Sequence, residues 1–386
     1  MKIFSTNLSP RLSALLLLAL LTFQPACLRY TSSGGQAEPD DPYIANFPVY
    51  AELTPERAVI ADSLRNYFNR MHRAGFNGTV LFAENGEIVF AEAYGYHNLQ
   101  KKDSLTLESA FQLASVSKPI TALAVLILKE DNRLDLDDPV NLYFPGLPYE
   151  GITIRHLLSH RSGLPNYMYF CEDYWPDKER AITNQEMIDL MIRQAPKPYY
   201  LPDRRYNYSN TNYALLATIV EQVSGMRFED FVTVRIFEPL KMRNALIYNK
   251  SVAPANENPV LGYISSRVVA ENHFLNGVVG DKGVYASAFD LLKLDQALYS
   301  DKLVSQETLR EAFTPQHKDL RPNDNYGLGW RLDVSDELSP VVYHTGWWKG
   351  FRTYFIREVS EKRTIIILSN TLRASRFNTK ELREIF

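Results

Sequence analysis

Ile60, Leu64, Phe68 and Met71 recur three or four residues apart, with polar and charged residues between them. That spacing turns one face toward a core and predicts an amphipathic helix from about Pro55 to Arg73, placed to cover a sheet. The period then drops to two. Thr79 to Phe82 and Ile88 to Ala91 are β-rich runs around Glu84-Asn85-Gly86-Glu87, and Asn-Gly is the strongest short signal for a hairpin turn. A second β-rich set lies near the other end: Gly329 to Val334, Val341 to His344, Arg352 to Arg357 and Thr364 to Leu368. Between the sets the pattern is helical over Ile120 to Lys129, Ile154 to Ser159, Asn184 to Arg193, Tyr213 to Val223 and Phe228 to Phe237. Each of these runs is bordered by cap or loop residues.

Strands at both ends with helices between them predict an α+β fold. The distant ends together make one antiparallel sheet of about five strands, flanked by helices, with an inserted, mostly helical region. The expected domain spans 51–386, its sheet part 51–110 and 325–386, its helical part 111–324. Two independent domains are the alternative, but each would then hold only part of a small sheet.

The first residues follow a different pattern. Lys2 and Arg11 precede an apolar run, Leu12 to Phe23, of signal-peptide length and too short for an ordinary bilayer anchor. Gln24-Pro25-Ala26-Cys27 follows and resembles a bacterial lipoprotein signal, in which the cysteine becomes the acylated first residue. Gln24 departs from that pattern, where an aliphatic residue is usual. The expectation is a signal peptide over 1–26, lipidation at Cys27, and a flexible tether over 27–50 containing Ser32-Ser33-Gly34-Gly35 and Glu38-Pro39-Asp40-Asp41-Pro42. Simple cleavage nearby is the alternative. The chain is then exported, to the periplasm or cell envelope, and meets a membrane through an N-terminal lipid.

Composition narrows the partners. The 386 residues are 45% hydrophobic and 23% charged, with a formal net charge of -3; this is an ordinary globular balance with no general attraction to nucleic acid. The two cysteines, Cys27 and Cys171, are too few for a metal centre. A bridge between them is possible only if Cys27 carries no lipid.

The chemistry begins at Ser115-Val116-Ser117-Lys118, the one Ser-x-x-Lys in the chain. Residues three apart share a helix face, so Lys118 can sit beside the Ser115 hydroxyl. It can take the serine proton if burial leaves its amine neutral. Pro119 suits a first helical turn, and the apolar Ile120, Leu123, Ala124, Val125, Ile127 and Leu128 supply that burial. Alone, the pattern is common enough to arise by chance. Two other segments join it: the polar and aromatic stretch Tyr206 to Tyr213 before an amphipathic helix, and His344-Thr345-Gly346-Trp347-Trp348 at a strand end. Small residues there let a substrate backbone approach the strand.

Together the three segments resemble the penicillin-recognising serine hydrolases, the family of class C β-lactamases, D-alanyl-D-alanine carboxypeptidases, D-aminopeptidases and related esterases. Its ordered signature is Ser-x-x-Lys, Tyr-x-Asn, and Lys or His before Thr-Gly. Here these are Ser115 with Lys118, Tyr208 with Asn210, and His344-Thr345-Gly346. Further landmarks include Leu136-Asp137-Asp138-Pro139, His156 to Pro165 and Tyr326-Gly327-Leu328-Gly329-Trp330. Asp203 and Lys241 stand where the family usually has glycine, which puts two loop shapes in question.

The resemblance implies roles. Ser115 would be the nucleophile and Lys118 its base. Tyr208 would move the proton to the leaving group, with a pKa lowered by nearby cations, and Asn210 would bond Lys118 and the substrate amide. The backbone N–H groups of Ser115 and Trp347 would form the oxyanion hole. His344, Thr345, Gly346 and Trp347 would bind substrate, His344 titrating near the ordinary histidine value. His-Thr-Gly is more typical of the family's peptidases than of its class C lactamases.

Other chemistry has less support. His156 and His160 are four apart, but Leu157 stands where a metalloprotease needs glutamate, so no metal is expected. No cofactor is expected either. No Gly-x-Ser-x-Gly elbow occurs. Trp347 and Trp348 either line a groove or pack at the strand end. The functional expectation is an exported acyl-enzyme hydrolase of D-amino-acid, cell-wall type peptides or related amides, with a small-molecule or peptide substrate. An esterase or β-lactamase on the same scaffold remains open, as does a non-catalytic cell-wall-binding lipoprotein.

Overall fold

In the computed structural model, which describes residues 42–248, 260–265, 268–270 and 272–385, the Asn-Gly signal lies where the chain turns. Strand β1 (Gly78–Glu84) and strand β2 (Glu87–Tyr94) are joined through Asn85 at φ 52 and Gly86 at φ 80. Positive φ at both central residues is what a type I′ hairpin turn requires. Helix α1 (Pro55–Ala74) precedes the hairpin, capped by the Thr54 hydroxyl, with Leu64 and Phe68 buried. Its Phe68 ring meets Phe76, Tyr94 and Phe377 at 5.5, 6.4 and 5.6 Å, so α1 and the C-terminal segment cover one sheet face.

Five more strands complete the sheet: β3 (Asn325–Tyr326), β4 (Arg331–Asp333), β5 (Val341–Trp348), β6 (Phe351–Glu358) and β7 (Arg363–Ser369). Among the described residues the order is β3-β4-β5-β6-β7-β1-β2. Every pairing is antiparallel, and β7 against β1, from Gly78 with Ser369 to Glu84 with Arg363, joins the two ends of the chain. The sheet therefore has seven strands rather than about five. The β-rich runs of the sequence cover six of these, Gly329 to Val334 containing β4; the strand without a run is β3, two residues long, too short for a two-residue period to register.

The other sheet face meets the helical part. Helix α2 (Ser117–Glu130) is buried from Ser117 to Leu128, and α3 (Asn210–Ser224) from Thr211 to Val220. Helix α4 (Ala288–Ala297) is pinned to the sheet by a buried ion pair between Asp295 and Arg357 of β6, with the Thr364 hydroxyl donating 2.8 Å to the same carboxylate. Within this part the short segments Phe111–Gln112, Val284–Ala286 and Leu246–Ile247 form a small sheet of their own.

Residues 1–41, and with them the signal-peptide and Cys27 expectations, lie outside the described residues. The end of the expected tether does not behave as one. Ile44 is buried, Phe47 packs edge-on against Phe289 at 5.3 Å, and Val49 O accepts the Ile88 N–H at 2.8 Å. Apolar side chains dock residues 42–50 on the folded unit. Asp203 and Lys241, the two glycine replacements, take φ 59 and 49; both keep the left-handed conformation that glycine would supply.

Candidate active site

Ser115 lies in a short turn, Ala114–Val116, that runs directly into α2. Ala114 before it has φ +50, an uncommon left-handed conformation for a residue with a Cβ. Lys118, in the first turn of α2, is fully buried, and its Nζ lies 3.1 Å from Ser115 Oγ and 2.9 Å from Asp281 O. Burial pulls the Lys118 pKa down to about 7, with Arg331 adding to the fall and the Asp281 charge opposing it. The apolar length of α2 therefore does what its sequence suggested: it leaves a substantial share of neutral amine at neutral pH.

Tyr208 stands over this pair. Its hydroxyl faces Ser115, and its ring centre lies 4.9 Å from Lys118 Nζ and 5.4 Å from the Arg331 guanidinium carbon. The expected lowering of its pKa is not what the surroundings produce. Desolvation raises it, outweighing the lowering by Ser115 and Arg331, so the phenol keeps its proton. Asn210 also differs from expectation. Lys118 bonds Ser115 and Asp281, whereas the Asn210 amide donates to Met168 Sδ at 3.2 Å. Its buried Oδ1 has no partner among the described residues.

Strand β5 brings the third segment alongside. A Cβ on Gly346 would lie 2.3 Å from Leu113 O and 3.0 Å from Ser115 N, so only glycine lets the strand come this close to Ser115. Strand β4 pairs with β5 only from Val341 to Tyr343. Beyond that point β5 has a sheet neighbour on one side, β6, which leaves an edge toward the cleft.

Alternation along β5 separates its four candidate residues. Thr345 and Trp347 line a cleft of ≈ 470 Å³ with Ser115, Tyr208, Asn210 and Gly346. His344 shares the side of the strand that Gly346 turns toward the Ser115 turn, fully buried, its ring centre 6.4 Å from that of Tyr208. Its Nδ1 is 2.9 Å from Thr345 O, a pure acceptor, so Nδ1 carries the proton and Nε2 accepts the Tyr326 hydroxyl at 3.1 Å. Burial, with Arg331 and Lys118 nearby, holds it well below the usual histidine range. It is a neutral support behind the site, not a titrating contact in it. Trp347 is 66% exposed at the rim, while Trp348 donates to Asn276 Oδ1 at 2.8 Å.

The Beta-lactamase family profile matches residues 65–386. The chain belongs to that family. It is 38% identical over 308 residues to penicillin-binding protein 4* of Bacillus subtilis, covering 76% of this chain and 68% of that one. A putative penicillin-binding protein, PbpX, of the same organism is 30% identical, at 83% and 77% coverage. Among solved structures, a penicillin-binding protein from Bacillus halodurans superposes with TM-score 0.71 at 25% identity over 82% of this chain and 97% of that one. The D-amino acid amidase of Ochrobactrum anthropi gives 0.69 at 25%, over 86% and 96%. This β-lactamase-family chain is thus related to penicillin-binding proteins and D-amino acid amidases.

Several residues of the family site carry no motif in the sequence. Arg331 of β4 lines the cleft, and its Nε is buried without a partner among the described residues. Asp281 and Lys282 enter from the far side as a buried pair: Lys282 Nζ donates to Tyr167 Oη at 2.6 Å, and Tyr167 Oη donates to Asp281 Oδ2 at 3.0 Å. His160 lies beneath Tyr208, ring centres 4.2 Å apart. It follows the helical turn Ile154–Leu158 at φ +58, so it does not share a helix face with His156, whose Nδ1 caps that turn through Thr153 N. Cys171 is free and buried, its thiol pushed up to about 12 by burial.

Proposed function

We propose that the protein is an exported serine hydrolase that cleaves D-amino-acid peptides of cell-wall type, or related amides, through an acyl-enzyme on Ser115. The observation that carries this reading is Lys118: buried, within 3.1 Å of Ser115 Oγ, its pKa drawn to about 7. Ser115 Oγ adds to the acyl carbon and its proton passes to the neutral Lys118 amine. The oxyanion is held by the N–H groups of Ser115 and Trp347, each donor contributing ~3 kcal/mol. Tyr208, protonated in its buried setting, gives its proton to the leaving amine as the C–N bond breaks, and is reprotonated from Lys118. Water, activated by the same pair, then cleaves the ester and releases the acid. Asn210, its Oδ1 open, takes the substrate amide N–H, and Thr345 and Gly346 line the strand edge along which the peptide lies.

Two features favour a peptide or amide substrate, the first of them one with a terminal carboxylate. Arg331 is a fixed cation beside Tyr208 with a buried donor to spare, and a guanidinium fork suits a carboxylate. The relatives named for penicillin binding and for D-amino acid amides share the scaffold. Export and the Cys27 anchor rest on the N-terminal pattern and on the kinship with penicillin-binding proteins.

The test is labelling of the purified protein with a fluorescent penicillin and a fluorophosphonate, with the adduct located by mass spectrometry. Labelling at Ser115, lost in Ser115→Ala, is expected. No label from either probe, or one on another residue, overturns the reading. Turnover of a D-Ala-D-Ala peptide, a p-nitrophenyl ester and a cephalosporin then ranks substrates, with the peptide expected first. Mass analysis of the mature N-terminus for a diacylglyceryl group on Cys27 tests the anchor.

A further inference from the structure

The cationic character of the cleft continues past the residues that handle the reacting bond. Paired residues on adjacent antiparallel strands present their side chains on the same face. Arg331 pairs with Tyr343, and Trp347 with Arg352, so Arg331, Tyr343, Thr345, Trp347 and Arg352 share one face of the sheet. Arg331 and Arg352 flank β5 from opposite sides, and their partners are four residues apart, about 13 Å along the strand. Arg376, on the segment after β7, lines the same cleft.

Burial holds the Arg352 pKa below its usual value, Tyr354 opposing the fall and the charge of Arg376 adding to it. Among the described residues neither arginine has a carboxylate partner. Asp281, the one acid lining the cleft among the described residues, is committed to Lys282 and Tyr167. Placing two like charges side by side at the wall of a binding cleft is unfavourable in the empty protein and becomes favourable when an anion enters.

We infer that Arg352 and Arg376 form a second anion subsite, which takes a carboxylate on the acyl portion of the substrate. This rests on the acyl-transfer reading above. Tyr208 and Arg331 mark the leaving-group end, so the acyl portion runs along β5 toward Trp347 and reaches Arg352. The substrate class is an acyl-D-alanyl peptide with an acid at each end: a terminal carboxylate at Arg331 and a second at Arg352 and Arg376.

The test uses two ligands that differ only in a terminal group, N-glutaryl-D-alanyl-D-alanine and N-pentanoyl-D-alanyl-D-alanine. Hydrolysis by the wild type gives the ratio of their kcat/KM values. Calorimetric binding to Ser115→Ala gives the ratio of their affinities without turnover. Both ratios are expected to favour the glutaryl ligand about tenfold or more at low salt, to shrink as salt rises, and to approach one in Arg352→Gln and Arg376→Gln. Ratios near one in the unaltered cleft, or ratios that survive both substitutions, overturn the subsite. Hydrolysis through Ser115 without charge preference leaves the reaction standing and removes the subsite. Charge-dependent binding to Ser115→Ala with no hydrolysis by the wild type does the reverse.

Discussion

Lys118 Nζ lies 3.1 Å from Ser115 Oγ, and its other hydrogen bond goes to a backbone carbonyl, Asp281 O, rather than to a carboxylate. Among the described residues no hydrogen-bonded acid holds the proton on the amine, so desolvation wins and the pKa falls to about 7. In the proposed reaction the neutral form is the base, so kcat/KM should fall about tenfold per pH unit on the acid side of about 7. Lys118→Arg keeps the charge but does not deprotonate, and should lose about a thousandfold or more. A pH profile of ester hydrolysis from 5 to 9 checks both; a flat profile through pH 7 removes Lys118 as the base.

The same shift affects stability. The unfolded lysine titrates near 10.4 and the folded one near 7. Between these values the unfolded chain binds the extra proton, so Lys118 makes stability rise with pH, by about 1.4 kcal/mol per unit. Lys118→Met should flatten that slope. Urea unfolding at several values between pH 7.5 and 9.5 measures it; an unchanged slope in the variant contradicts the assignment.

Gly346→Ala tests the approach of β5 to Ser115. Its Cβ would sit 2.3 Å from Leu113 O and 3.0 Å from Ser115 N, and backbone on that side cannot swing away as a side chain would. The strand or the Ser115 turn must shift by several tenths of an ångström, which should lower kcat by about a hundredfold while circular dichroism stays native. Near-normal kcat would mean that the turn has slack.

How much of this site could be read from the chain depends on whether a residue's role is local. Ser115 and Lys118 are three apart on one helical turn, and the Asn85-Gly86 hairpin is a two-residue matter; both are visible in sequence. Asn210, His344 and Tyr208 were assigned roles that depend on distant packing. Met168 takes the Asn210 amide, burial keeps His344 neutral against Tyr326, and burial outweighs the cations around Tyr208. Arg331 and Arg352 left no signal, because they reach the cleft only through strand pairing across β5. The sheet has more strands than expected for a similar reason: β3, two residues long, is recognisable only by its pairing with β4.

His160 is a positioning residue for Tyr208. Its Nδ1 accepts from Ser209 N at 3.2 Å and faces Asn212 Nδ2 at 3.3 Å, and its carbonyl accepts the Asn207 N–H at 2.9 Å. These bonds hold the loop on both sides of Tyr208, with the imidazole as its floor. His160→Leu should therefore lower kcat by about ten- to a hundredfold with little change in KM. Acylation by penicillin should slow in parallel. An equal loss in KM alone would point to substrate contact instead.

Arg331 combines three surroundings that together predict a preference. It stacks near Tyr208, it lines the cleft, and its Nε is buried with no partner among the described residues. A buried donor left open is unfavourable until something accepts from it, and a charged donor gains most from a charged acceptor. A dipeptide leaving group ending in a free carboxylate should then be hydrolysed about ten- to a hundredfold faster, in kcat/KM, than its amidated counterpart. Arg331→Gln should erase that difference chiefly by slowing the acid, since the amide never used the charge. Arg331→Lys should restore part of it, because a lysine supplies charge without the planar fork. Measuring the two substrates against the three proteins separates charge from shape: a preference unchanged in Arg331→Gln would place the carboxylate elsewhere in the cleft, whereas one lost equally in both variants would mean that the fork, and not the charge, reads the terminus.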